Sequence, residues 1–215
     1  METNRKDVTF EDFIYQQPKQ LTPQFCKNLI EKYETNEQAL QMRTQGNLGD
    51  WEKYAAKSFK QSEDLNITEL PDFDFEDKTL NIALAKLSQN YLDHICSFNY
   101  GFEPLLGLDY EDSGFQIQKT TPAGHYKWHH DQIDRRYYTY IFYLNDVNNA
   151  GETQFANGLK IKPEEGKGLM FPASWQYVHQ GIDPIDEIKY IVTGWISEAK
   201  EVTVPMPLEN ELEFN

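Results

Sequence analysis

The sequence predicts a mainly β protein with N-terminal helices, an α+β chain whose later half forms a sandwich or barrel packed on those helices. Two observations carry this expectation. From residue 114 onward, short runs rich in β-branched and aromatic residues alternate with turn signals. Before residue 100, apolar residues recur at helical spacing in two segments instead. A chain of 215 residues suits one sizeable core. It reads as a single domain with helical support and loops over 1–110, a β core over 111–198 and an extended tail over 199–215.

Taken in order, Thr22-Pro23 is an N-cap followed by proline at the first helical position. Phe25, Cys26, Leu29, Ile30 and Tyr33 then share one helical face. A second helix is expected from Asp77 to Phe98, where Leu80, Leu84, Leu87, Tyr91, Ile95 and Phe98 keep that spacing. Residues 41–76 show glycines and acidic residues but little periodicity, compatible with a substrate loop or an inert one, and 72–76 reads as a short strand or a loop. The strand candidates are Phe115–Thr120, Tyr137–Leu144, Glu152–Phe155, Leu159–Ile161, Gly168–Phe171, Gln176–Gln180 and Lys189–Ile196. Segments such as Asn148-Asn149-Ala150-Gly151 and Pro163-Glu164-Glu165-Gly166 supply the turns between them.

Charge restricts the partners. With 35 acidic against 20 basic residues the net charge is -15, and no basic run interrupts it. Such a surface repels nucleic acid and leaves a solvated exterior, with preference for a basic peptide as the sharper reading. The first ten residues lack a signal-peptide pattern and no apolar run approaches a membrane span. Cys26 and Cys96 both lie in apolar helical stripes and read as buried thiols, so a cytoplasmic, reducing setting is expected. Oligomeric state is not legible.

The segment His125-Tyr126-Lys127-Trp128-His129-His130-Asp131 concentrates three histidines beside a carboxylate. In extended chain, residues two apart point the same way, so His129 and Asp131 can converge. His179, 48 residues beyond Asp131, offers a second imidazole from a late strand. Two histidines and one carboxylate on one face of a metal leave open positions, the arrangement of non-haem Fe(II) oxygenases. A bare H-x-D is a weak signal by itself, and His94, His125 and His130 read as structural, peripheral or exposed.

Lys189 follows His179 by ten residues inside the apolar run Tyr190-Ile191-Val192. Alternation puts Lys189, Ile191, Thr193 and Trp195 on one face, and Thr139, Ile141 and Tyr143 on one face of the earlier strand. A cation pointing into a β core is costly unless paired, so an inward Lys189 would suit a carboxylate ligand, with Thr193 and Tyr143 as further donors. An edge strand with Lys189 in solvent is the alternative. Trp175 and Tyr177, just before His179, could line a pocket or fill a core.

Together these segments resemble the prolyl 4-hydroxylase branch of the 2-oxoglutarate/Fe(II) dioxygenases. Arg136-Tyr-Tyr-Thr139-Tyr-Ile-Phe-Tyr143-Leu-Asn145-Asp146 matches that family's R-x-x-T-x-x-x-Y-L-N-D strand without a gap. Gly151-Glu152-Thr153-Gln154-Phe155, Pro163-x-x-Gly166, Phe171, His179 and Lys189 follow in the family's order. The chain departs from the pattern at Lys119-Thr120, where the family has a tyrosine, and at Ala150, where it has a glycine.

The resemblance implies a double-stranded β-helix (jelly roll, cupin-like) on N-terminal helices. Fe(II) would be bound and catalysis centred at His129, Asp131 and His179, with O2 as oxidant and ascorbate as a candidate reductant. Lys189 would hold the distal carboxylate of 2-oxoglutarate, with Tyr143 and Thr193 beside it. Tyr126, Trp195, Trp175 and Arg136 are candidates for the substrate pocket or for supporting the ligands. The expected reaction hydroxylates an aliphatic C–H bond, first of all in a prolyl residue of a peptide or protein, releasing succinate and CO2. Hydroxylation of a free amino acid or other small molecule is the second reading, and a non-enzymatic jelly-roll binding or structural module the third.

Overall fold

The computed structural model describes residues 7–46, 59–122, 124–133 and 135–199. Helix α1 spans Pro23–Thr35, starting where the Thr22 hydroxyl accepts the amide of Phe25. Helix α2 covers Glu37–Met42 and was not anticipated; Asn36 caps it by accepting the amide of Ala39. Helix α3 runs Asp74–Cys96, three residues earlier than the sequence suggests. The segment read as a short strand or loop is in fact a 3-10 turn, Pro71–Phe73, leading into it. Asp74, Glu76 and Asp77 fill the first turn of α3, where carboxylates favour the positive end of the helix dipole.

Two antiparallel sheets form the jelly roll. The larger contains β1 (Tyr15–Gln17), β2 (Thr44–Gln45), β3 (Glu63–Asn66), β4 (Tyr110–Asp112), β5 (Gln116–Thr120), β7 (Arg136–Tyr143), β10 (Gly168–Pro172) and β12 (Lys189–Glu198). Its order is β1-β10-β7-β12-β5-β3-β2, with β4 on β12. The smaller contains β6 (Tyr126–His129), β8 (Thr153–Phe155), β9 (Lys160–Ile161) and β11 (His179–Gly181), in the order β6-β11-β8-β9. Each of the seven expected strands is present, with ends moved by up to three residues. β1, β2, β3, β4 and β6 were missed; each has four residues or fewer, too short for a marked alternation.

Alternation along the central strands divides the interior in two. Tyr138, Tyr140 and Phe142 of β7, with Tyr190, Val192 and Ile196 of β12, face the helices and bury against α1 and α3 through Leu29, Tyr33, Leu84, Leu87 and Tyr91. Between the sheets, Ile141 and Tyr143 of β7 meet Leu169 and Phe171 of β10, Phe155 of β8 and Tyr177. β12 has no room for a side chain at Gly194, where a Cβ would stand 2.2 Å from the Tyr140 hydroxyl and 2.6 Å from the Gly114 carbonyl. Cys26 is buried as expected, whereas Cys96, on the solvent side of the end of α3, is only half-buried. The expected tail lies outside the described residues beyond Ala199, as does the 47–58 part of the expected loop.

Candidate metal and co-substrate site

His129 ends β6, His179 begins β11, and the two are directly paired across the smaller sheet. Asp131 leaves the end of β6 and is fixed by the Thr139 hydroxyl, which donates to its Oδ2 at 2.7 Å. One ligand atom from each of the three residues lies within 4.8 Å of the others. His129 Nε2 is 3.8 Å from Asp131 Oδ1, and His179 Nε2 is 3.7 Å from Oδ2. Ligands at adjacent corners around one ion at about 2.1 Å would stand roughly 3 Å apart, so a small contraction closes this set on a metal.

The hydrogen bonds fix the tautomers. His129 Nδ1 donates to the Lys127 carbonyl at 2.7 Å, and His179 Nδ1 to the Tyr177 carbonyl at 3.0 Å. Both Nε2 lone pairs are thereby turned toward Asp131, the arrangement metal-binding imidazoles adopt. Burial, followed by repulsion from His179, holds His129 far below the ordinary histidine pKa, so it is neutral and ready to ligate. At Asp131 burial alone would raise the pKa, but the neighbouring imidazoles, His179 before His129, and the hydrogen bond from Thr139 outweigh it and hold the carboxyl below its usual range.

Lys189 lies on the inner face of β12, 5% exposed, which excludes the solvent-edge reading. Its Nζ donates to the Gly151 carbonyl at 2.9 Å, and no carboxylate is within ion-pair distance among the described residues. Burial draws its pKa from 10.5 down to about 8, against the opposing pull of Glu152 and Asp183. Tyr143 is fully buried on the neighbouring strand and donates to the Thr153 hydroxyl at 2.8 Å. Thr193 shares the inner face with Lys189, but its hydroxyl donates to the Tyr140 carbonyl at 2.8 Å, within its own sheet. Thr153 was visible only as a letter of the family motif, and Tyr143 gives it its place.

Lys119, one of the departures from the family pattern, is resolved by the register. β5 pairs Thr120 with Lys189 and Lys119 with Tyr190, so Lys119 faces the helices and meets Glu34 at 2.9 Å. Thr120 and Gln118 face the inside instead, and Gln118 donates to Gln116 at 2.7 Å. The expected pocket residues are spread unevenly. Tyr126 stacks on His129 with ring centroids 3.6 Å apart. Arg136 lies over the Trp195 ring at 3.6 Å on the inner-face side of the β7–β12 pair. Trp175 is 61% exposed, with its amide donating to Gln132, while Tyr177 is core and stacks on Phe10 at 4.3 Å.

His94 is structural as expected, bonded to the Asp12 carbonyl, and His130 is exposed. The sequence reading missed a buried cluster beside the site, Lys60, Ser62 and Asp64. Its alternating polar letters look like surface, and only the pairing of β3 with β5 turns Asp64 inward beside Gln118.

Residues 115–197 match the family model described as the 2OG-Fe(II) oxygenase superfamily. Over those residues the chain is similar to that superfamily, which supports a dioxygenase using Fe(II), 2-oxoglutarate and O2, and the chemistry of the His129, Asp131 and His179 donor set fits the iron. More particularly, its fold is that of prolyl hydroxylases. A viral collagen prolyl hydroxylase from Paramecium Bursaria Chlorella virus-1, solved with 2OG, superposes with a TM-score of 0.59 at 19% identity, covering 87% of this chain and 97% of that one. A Pseudomonas putida prolyl-4-hydroxylase gives 0.58 at 18%, covering 86% and 93%. A prolyl hydroxylase from Trichoplax adhaerens, in complex with a hypoxia inducible factor oxygen degradation domain peptide fragment, gives 0.67 at 16%, covering 87% and 84%. No curated protein matches in sequence. The match to an oxygenase family model, together with a complete His129, Asp131 and His179 donor set, supports an enzyme over the non-enzymatic module. Among the described residues, no helix is long and apolar enough to cross a membrane.

Proposed function

We propose that this dioxygenase hydroxylates a prolyl residue within a peptide or protein, with iron on His129, Asp131 and His179. The observation that carries the reading is a buried ammonium, Lys189, without a carboxylate at ion-pair distance among the described residues, in the same inter-sheet space as the three metal-ligating side chains. A dicarboxylate chelating the metal at one end would give Lys189 the counter-charge it lacks at the other. Tyr143 and Thr153 supply hydroxyls for that carboxylate, and Thr193 lines the wall beside them. When bound, iron with 2-oxoglutarate and O2 supplies the oxidising power that converts C–H to C–OH, with succinate and CO2 released. The protein's own part is to orient the two ends of the co-substrate and keep the space dry.

The peptide substrate is favoured by the rim. Trp128, Ile133 and Trp175 are large apolar side chains, all exposed on segments adjoining the ligands. A groove able to hold residues on either side of the reacting one would use such a rim; a small molecule would not need it. The relative from Trichoplax holds a peptide, which supports the same class. Tyr126, Arg136 and Trp195 would border the reacting ring. Two free cysteines suit a reducing, cytoplasmic setting.

The direct test loads the protein anaerobically with Fe(II) and 2-oxoglutarate, adds candidate peptides, admits oxygen and reads mass. A gain of one oxygen on prolyl peptides is expected. Oxygen gained by free amino acids and not by prolyl peptides would replace this substrate class with a small molecule.

A further inference from the structure

The buried cluster Lys60–Ser62–Asp64 belongs to neither the iron nor the co-substrate set. Lys60 is 2% exposed and Asp64 1%, the most deeply buried charge pair among the described residues. Their ion pair measures 2.5 Å, and the Ser62 hydroxyl donates to the second Asp64 oxygen at 2.7 Å. A buried ion pair adds little net stability over apolar residues of the same volume, so its presence asks for another role.

Its position supplies one. The segment around Lys60 lies along the free edge of β6: Lys60 forms an antiparallel bridge with Tyr126, and Gln61 and His125 exchange backbone hydrogen bonds. The Lys60 ammonium stands 5.0 Å from the centroid of the Tyr126 ring, a cation–π contact. That ring lies on the His129 imidazole at 3.6 Å, with 15° between the planes. Phe59 adds an edge-on contact to both rings. The single hydrogen bond from His129 Nδ1 to Lys127 leaves the imidazole free to swivel about it, and the stacked tyrosine removes that freedom.

We propose that the Lys60–Asp64 pair is a positioning device for His129, acting through Tyr126. Asp64, braced by Ser62, fixes the ammonium; the ammonium fixes the tyrosine ring; the ring fixes the imidazole plane, so that Nε2 faces Asp131 and His179. This rests on the reading of His129 as a metal ligand, and the test separates the two.

The full-length protein is titrated with Co(II) alone, reading affinity and the visible absorption of the bound ion. Lys60→Met with Asp64→Leu replaces the pair by apolar side chains of similar size, and a preserved melting temperature shows that the fold is kept. Co(II) affinity then falls about tenfold or more, and the absorption band changes, as for other groups that orient metal ligands. Tyr126→Leu, which leaves the pair intact, gives the same loss; combining the changes adds nothing further; Tyr126→Phe retains wild-type affinity. Unchanged affinity and spectrum in the folded pair variant or in Tyr126→Leu overturn the proposal, as do losses that add in full. His129→Ala is the control: if it binds Co(II) like wild type, the ligand reading itself fails, whereas its loss beside an unaffected pair variant removes only the positioning role.

Discussion

Replacing Lys189 by Met separates the two consequences of burying an ammonium. In the free protein the charge is a burden: a pKa drawn from 10.5 to about 8 corresponds to about 3 kcal/mol of lost hydration. Methionine removes that cost and also leaves the Gly151 carbonyl without its donor, a loss of about 1–2 kcal/mol. The net expectation is a protein more stable by about 1–2 kcal/mol, seen as a melting temperature raised by a few degrees. Co-substrate binding should move the other way. Removing one partner of a buried charge pair costs about 2–5 kcal/mol, which is roughly thirtyfold to several-thousandfold in affinity. Thermal scans of the metal-free protein and calorimetric titration of 2-oxoglutarate into the anaerobic Fe(II) form measure both. Wild-type affinity for 2-oxoglutarate in the methionine variant would refute the reasoning, because the ammonium would then have no carboxylate to meet.

Three further outcomes follow from the same geometry. The depressed Lys189 pKa makes stability and binding respond oppositely to pH: between about 8 and 10.5 the unfolded chain holds the proton that the folded one has lost. Its contribution to stability therefore rises over that window, while 2-oxoglutarate affinity falls by up to about tenfold per pH unit above 8; a flat binding profile from pH 7 to 9.5 would contradict this. Ala150 sits at φ 65 in the turn that presents the Gly151 carbonyl to Lys189, so Ala150→Gly should raise stability by about 1 kcal/mol in denaturant unfolding, and a loss would count against strain there. Gly194→Ala forces a Cβ to 2.2 Å from the Tyr140 hydroxyl, and should cost about 1–3 kcal/mol, partly recovered by adding Tyr140→Phe; full recovery would show that the nearby Gly114 carbonyl is not a constraint.

What was legible in the sequence follows from where periodicity and chemistry coincide. The inner and outer faces of β7 and β12 are long alternations whose polar letters, Thr139, Lys189 and Thr193, stand out against apolar neighbours. The convergence of His129, Asp131 and His179 could be expected because two of them lie two residues apart in extended chain and the third lies within an expected strand, Gln176–Gln180. β3 was not legible: its inward residues are charged, its length is four, and only pairing with β5 decides which side is buried. For the same reason the Lys60–Asp64 pair looked like surface. The start of α3 was misplaced because Phe73 and Phe75 alternate like a strand, although Pro71 and three early carboxylates mark a helix start. Lys119 could be assigned to the helix side only by register, since a one-residue slip would have turned it inward.

The most direct test of the account is conversion of 2-oxoglutarate to succinate by His129→Ala and Asp131→Ala beside the wild-type protein, each supplied with Fe(II), oxygen and a prolyl peptide. The account predicts stoichiometric succinate and hydroxylated peptide from wild type and essentially none from either variant, with both variants still folded by circular dichroism. Wild-type rates of succinate formation in either variant would contradict it.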